Sequence, residues 1–125
     1  MTKEKNTLDA KGMRQKLLAY QARKPIPSGI LLDDGTEVFV LKPTINERTK
    51  VLKYAGVKPG SEDVDVGRMV VGAALYLACD ANGNLIFDAS DAEAMLSSPI
   101  GELIERVGSF AAGKMNVDAG VVEKN

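Results

Sequence analysis

The 125 residues contain no histidine, and the groups whose types and spacing could suggest bond-making chemistry are one thiol and several carboxylates. Without imidazole there is no Ser-His-Asp or Cys-His arrangement, few routes to a zinc site, and no general base that titrates near neutral pH by itself. Cys79 is the only cysteine. It stands late in the apolar run Met69–Cys79, where a cysteine reads as a small buried hydrophobe rather than a nucleophile. Asp63, Asp65, Asp88, Asp91 and Glu93 could supply a carboxylate pair. Their places beside helix starts instead suit them to the positive end of a helix dipole. The run Asp80-Ala81-Asn82-Gly83-Asn84, followed by Asp88, is a faint echo of a calcium loop. That loop needs Gly at its sixth position and Glu at its twelfth. Here Gly is fourth and Asp91 is twelfth, so a chain-reversing turn is the better reading. Neither a G-x-G-x-x-G nor a phosphate-binding loop is present. The residues therefore point away from catalysis, and no catalytic, cofactor-binding or metal-binding residue is assigned.

The elements that must position these groups follow from spacing and caps. Residues 1–6 are polar and read as a flexible lead. A helix is expected over Thr7–Ala22, with Leu8, Met13, Leu17 and Tyr20 near helical spacing, stopped by Pro25 and Pro27. Pro27–Pro43 reads as a β-hairpin: Ile30–Leu32, a turn at Asp33-Asp34-Gly35-Thr36, then Val38–Leu41. Thr44-Ile45-Asn46-Glu47 is a capping box that opens a helix to about Tyr54, ending near Gly56. Residues 57–62 form a loop. The most apolar segment, Asp63–Cys79, is expected to be the central helix, with Gly67, Gly72, Ala73 and Ala74 permitting close approach. Leu85–Phe87 is a short extended piece. Ser90-Asp91-Ala92-Glu93 reads as a second capping box with a helix to about Leu96. Ser98-Pro99 reads as a third helix start, followed by a stripe of Ile100, Leu103, Ile104, Val107 and Ala111, with Gly113 as C-cap. Asn116 is expected to cap a short helix over Val117–Lys124.

The sum is an α+β fold, a mostly α-helical single domain (residues 7–116) with an N-terminal β-hairpin and a short C-terminal helix or tail over 117–125. Its length suits one domain that buries about two-thirds of its unfolded surface. Aromatics are 5% of residues and Trp is absent, so aliphatics and Ala must fill the core. With a net charge of −1, overall charge makes no case for nucleic acid or an anionic membrane. The charge is segregated, however. Residues 1–24 carry a net +5 and residues 61–105 a net −8. This polarity could orient a partner or a neighbouring subunit, or reflect solvated faces. The basic residues Lys11, Arg14, Lys16, Arg23 and Lys24 have no interleaved aromatics for base stacking. No apolar run approaches the ~20 residues of a membrane helix, the start MTKEKNTLD has no secretory apolar core, and a lone cysteine suits a reducing compartment.

The hairpin, the capped segment Lys42-Pro43-Thr44-Ile45-Asn46-Glu47-Arg48, and the run Ala74–Phe87 with its Cys79-Asp80-x-x-Gly83-x-x-x-Phe87 spacing occur in a definite order. They are continued by the acidic stretch Asp88–Leu96. Over roughly residues 25–116 this order resembles the tail assembly chaperones of phages with long non-contractile tails. Pro43-Thr44 stands where the family pattern has Leu-Thr, and the N-terminal helix is longer and more basic. The resemblance implies a non-catalytic protein of the host cytoplasm that keeps the helical tape-measure protein soluble. It also implies recruitment of the tail tube protein, mainly through a longer frameshifted form. It needs no cofactor, nucleic acid or membrane, and homo-oligomers are compatible with it. A helical client would be met by helix-in-groove contact. Residues for that contact are Met13, Leu17, Met95, Ile100, Leu103, Val107 and Phe110, with core filling as the competing role for Met95 and for the Ile100–Phe110 stripe. The competing functions are a virion structural or head–tail connector protein and a small DNA-binding regulator using the basic helix.

Overall fold

Three of the α-helices begin where a short polar side chain closes the backbone on itself. In this computed structural model, which describes residues 9–19, 25–58 and 63–115, the first helix, α1, spans Ala10–Leu18. Asp9 caps it by accepting from the Gly12 N–H at 2.8 Å. The expected start at Thr7 and end at Ala22 lie outside the described residues, as do residues 1–6 and the expected helix over 117–124.

The hairpin forms as its turn chemistry requires. Strands β1 (Ile30–Leu31) and β2 (Glu37–Val40) pair antiparallel, Ile30 opposite Val38. Gly35 sits at φ +89°, a conformation other residues rarely adopt, and Asp34 accepts from the Thr36 N–H at 2.9 Å. The Thr36 N–H, together with the Thr36 hydroxyl, holds the Asp34 carboxyl below its usual pKa. Helix α2 (Ile45–Tyr54) opens on the expected capping box: Glu47 N–H donates to Thr44 Oγ1 at 3.1 Å, and Thr44 N–H donates to Glu47 Oε1 at 3.0 Å. It closes on Gly56 at φ +81°, with Gly56 N–H donating to Lys53 O and Val57 N–H to Leu52 O, the two bonds of a Schellman end. Thr44→Ala removes one of the reciprocal cap bonds. It is expected to lower stability by about 1 kcal/mol, measured as the free energy of urea unfolding. An unchanged value would mean the cap does not hold α2.

Helix α3 (Val66–Leu77) is capped by Asp65, which accepts from the Arg68 N–H at 3.0 Å. It is the spine of the fold, burying Val71 through Leu75 and Leu77. The helical pattern runs on to Cys79, but the helix stops two residues earlier. Ala78 and Cys79 form a strand, β3, that pairs with β2 (Phe39 opposite Cys79, Val40 opposite Ala78). Cys79 also bridges Leu85, and Ile86 N–H donates to Ala78 O at 3.1 Å. Hydrogen bonds from both sides outcompete one more helical turn for Ala78 and Cys79. The result is a three-stranded antiparallel sheet in the order β1-β2-β3.

Two helix starts fall elsewhere than the pattern places them. The box expected at Ser90/Glu93 is replaced by one at Asp88/Asp91. Asp88 accepts from Ser90 N–H at 2.9 Å, and Asp88 N–H donates to Asp91 Oδ2 at 2.9 Å. The Ser90 hydroxyl is itself spent as a donor to Asp88. A 3-10 turn (Ala89–Asp91) then leads into α4 (Ala92–Leu96). Nor does Ser98-Pro99 open the last helix. Ser97 and Ser98 donate back to the carbonyls of Glu93 and Ala94, finishing α4. Gly101, at φ +81°, then breaks the path, and its N–H donates to Glu105 Oε1 at 2.7 Å. Helix α5 begins only at Leu103 and runs to Gly113, so Gly113 lies inside the helix rather than after it.

Helix α5 lies along α3. The core has two halves about α3, one built on Val40, Val51, Ala73, Leu77, Ala111 and Met115, the other on Val71, Ala74, Leu75, Ala78, Met95 and Val107. The fold class expected from the sequence, a helix-dominated α+β domain with an N-terminal hairpin, is the one observed.

Candidate functional site

The groups with chemical potential are engaged in holding the chain. Asp80 Oδ1 accepts from the N–H groups of Asn82 and Asn84, each at 2.9 Å, and Gly83 takes φ +85°. The Asn84 N–H, with help from Asn82, holds the Asp80 carboxyl below its usual range. Its oxygens thus stabilise the turn that carries the chain from β3 to Leu85. Asp88 is held low in the same way by Ser90. Asp65 caps α3. Cys79 is completely buried between β2 and the Leu85 segment. No buried side chain among the described residues is polar or charged. At the start of α2, Lys42, Arg48 and Lys114 surround a notch of about 70 Å³. The Glu47 carboxylate already answers the Thr44 N–H there.

The surface feature with the larger opening is apolar. A groove of about 140 Å³ runs between α3 and the α4–α5 connection. Gly67, Val70 and Val71 form one wall; Met95, Leu96, Ile100 and Ile104 form the other. Its origin is local. Gly67 bears no side chain to fill the space in front of Val70. Gly101 turns the backbone so that Ile100 is pushed out of the α5 register and stands 89% exposed. Ser98 and Pro99 close the end, and the only charged lining residue is Glu105, tied to the Gly101 N–H.

The seven residues singled out from the sequence do not converge. Met95 and Ile100 both line this groove. Met95 is only 4% exposed, however, and Val107 only 5%, both packed with Val71, Ala74 and Leu75. These two are core residues, and Val107 is removed from any contact surface. Phe110 is half-buried against the Val40–Leu77 cluster, with the Lys114 ammonium 4.8 Å from its ring centre. Leu103 is partly exposed and does not line the groove. Met13 and Leu17 stand exposed on α1, none of whose residues is buried. Val70, Leu96 and Ile104 complete the groove and were not chosen from sequence. Gly101 was the available signal, since a glycine two residues after a proline can end a stripe as well as continue it.

No protein-family model, curated protein or solved structure matches this chain. Among the described residues, no helix is long and apolar enough to cross a membrane.

Proposed function

We propose that this protein is a non-catalytic assembly chaperone of the phage-tail type, acting in the host cytoplasm by holding an apolar helical segment of the tape-measure protein. The observation that carries the reading is the open groove lined by Val70, Leu96, Ile100 and Ile104. An exposed isoleucine on a turn, facing aliphatic walls, is suited to receive an apolar side chain from a helix laid across it. A cavity near 150 Å³ admits a benzene-sized group, so the groove seats one large aliphatic or aromatic anchor at a time. Weak, repeated contacts of this kind suit a client that must later be released into a growing tube. The order of motifs over residues 25–116 supports the same reading, and recruitment of tube protein would belong to a longer form of the chain.

Co-expression with a tape-measure protein is expected to raise the soluble fraction of that protein several-fold, measured by pelleting the insoluble material. Ile100→Asp is expected to abolish the gain, because it sets a carboxylate at the groove's mouth while leaving the core untouched. Equal solubility with and without the chaperone would count decisively against this function.

A further inference from the structure

The groove has a second candidate occupant within the molecule's own sequence. Helix α1 is amphipathic yet unburied. Ala10, Met13 and Leu17 follow one another at three- and four-residue spacing, and Met13 and Leu17 are 51% and 71% exposed. At 100° per residue, Lys16 flanks this stripe on one side and Arg14 and Lys11 on the other. No acidic residue lies within the helix. The segments that build the groove have the opposite charge. Glu93, Glu102 and Glu105 belong to the α4–α5 side and Asp65 to the start of α3, against Arg68, which is paired with Asp65 at 3.5 Å, and Arg106, whose guanidinium donates to the Leu31 carbonyl at 3.3 Å, so the segments keep a net negative charge.

We propose that α1 of one copy docks into the α3/α4–α5 groove of a second copy, Leu17 or Met13 entering between Val70 and Ile100 while Lys11, Arg14 and Lys16 face Glu105 and the other acidic residues of the segments that build it. Within a single chain, α1 leaves its apolar stripe exposed and the groove stays open. The occupant proposed is a neighbouring copy, whose basic α1 meets the net negative charge of the segments that build the groove. Reciprocal docking gives a two-fold dimer that covers both stripes and both grooves. The same contact shields the groove until a client helix displaces α1. This pairing uses the groove of the chaperone reading but does not depend on the client's identity.

Sedimentation equilibrium of the full chain alone, up to about 1 mM, where a contact worth about 4 kcal/mol is half-formed, tests the pairing separately from any client. The mass is expected to rise from monomer to dimer with concentration and to fall back as salt screens the charges. Leu17→Asp and Ile100→Asp, both at exposed positions, are each expected to weaken association by about tenfold or more with the far-ultraviolet circular dichroism unchanged. An equimolar mixture of the two variants retains one intact helix and one intact groove, and is expected to recover dimeric mass beyond either variant alone. Four results would each overturn the pairing: a wild-type monomer throughout, whether because α1 covers its own groove or because only a client fits; a dimer insensitive to both variants; a dimer indifferent to salt; or a mixture no heavier than its components. The solubility experiment would still stand in all four cases.

Discussion

Gly108→Ala is expected to destabilise the fold by about 2–3 kcal/mol, the cost of overpacking a site that cannot yield. A methyl group at this position would run into the Cγ1 and the carbonyl oxygen of Val70, and would lie 2.9 Å from the Val70 carbonyl carbon. Two of those three atoms are backbone, so no rotamer change relieves the contact. The α3–α5 seam would have to open along its length. Opposing this, alanine is favoured over glycine inside a helix by about 1 kcal/mol. The clash prevails because that gain is local, whereas separating the helices loosens Val71, Met95 and Val107 together. Thermal unfolding followed by circular dichroism should show Tm lowered by roughly 10 °C, at about 4 °C per kcal/mol for a chain of this size. Gly113→Ala supplies the control in the same helix. Nothing lies within 4 Å of its added methyl group, so its Tm is expected to hold or rise. Equal behaviour of the two variants would show that the helices do not approach closely at Gly108. Because Val70 also forms a wall of the groove, Gly108→Ala is further expected to weaken whatever docks there.

Leu77→Ala should cost about 3 kcal/mol, within the range for deleting a large aliphatic side chain from a packed interior. Leu77 is completely buried at the point where α3 ends and β3 begins, among Val40, Val51, Ala73, Ala111 and Met115. Its backbone carbonyl accepts from Leu41 N–H at 2.9 Å, so the site joins the sheet to the helices. The buried alanine and valine neighbours are too short to refill the space, and Tyr76 and Phe110 pack against this cluster while remaining partly exposed. Met115 and Met69 are flexible neighbours able to reach in, which keeps the estimate below the top of the range. Urea unfolding should show the midpoint shift with an unchanged slope. A loss below about 1 kcal/mol would place Leu77 outside the core.

If the α1 pairing holds, these two effects are linked to function through the same helix. α3 supplies Leu77 to one half of the core, Val71 to the other, and Val70 to the groove. On the proposed chaperone reading, binding through packed aliphatic walls depends on the rigidity of those walls, so changes in the seam behind them are expected to alter binding without touching the partner.

The sequence alone determined the features whose hydrogen bonds close within a few residues. The Thr44/Glu47 box, the Gly56 stop, the Asp33–Thr36 turn and the Asp80–Asn84 turn are each completed by neighbours two to five positions apart. Their chemistry is therefore written locally, and so is the helix-dominated α+β composition that follows from them. The tertiary structure decided the rest. Ala78 and Cys79 became a strand because β2 and Leu85 offered their backbones partners that no helical period reveals. Ile100 left the α5 stripe because Gly101 adopted a positive φ, a conformation that glycine permits without requiring. Met95 and Val107 went inside while Ile100 stayed outside, although all three read as apolar positions of equal standing. Periodicity tells which residues share one face of a helix. Which face meets which neighbour, and where the meeting leaves a gap, depends on contacts such as that of Val70 with Gly108, far apart in the chain and joined only when the helices pack.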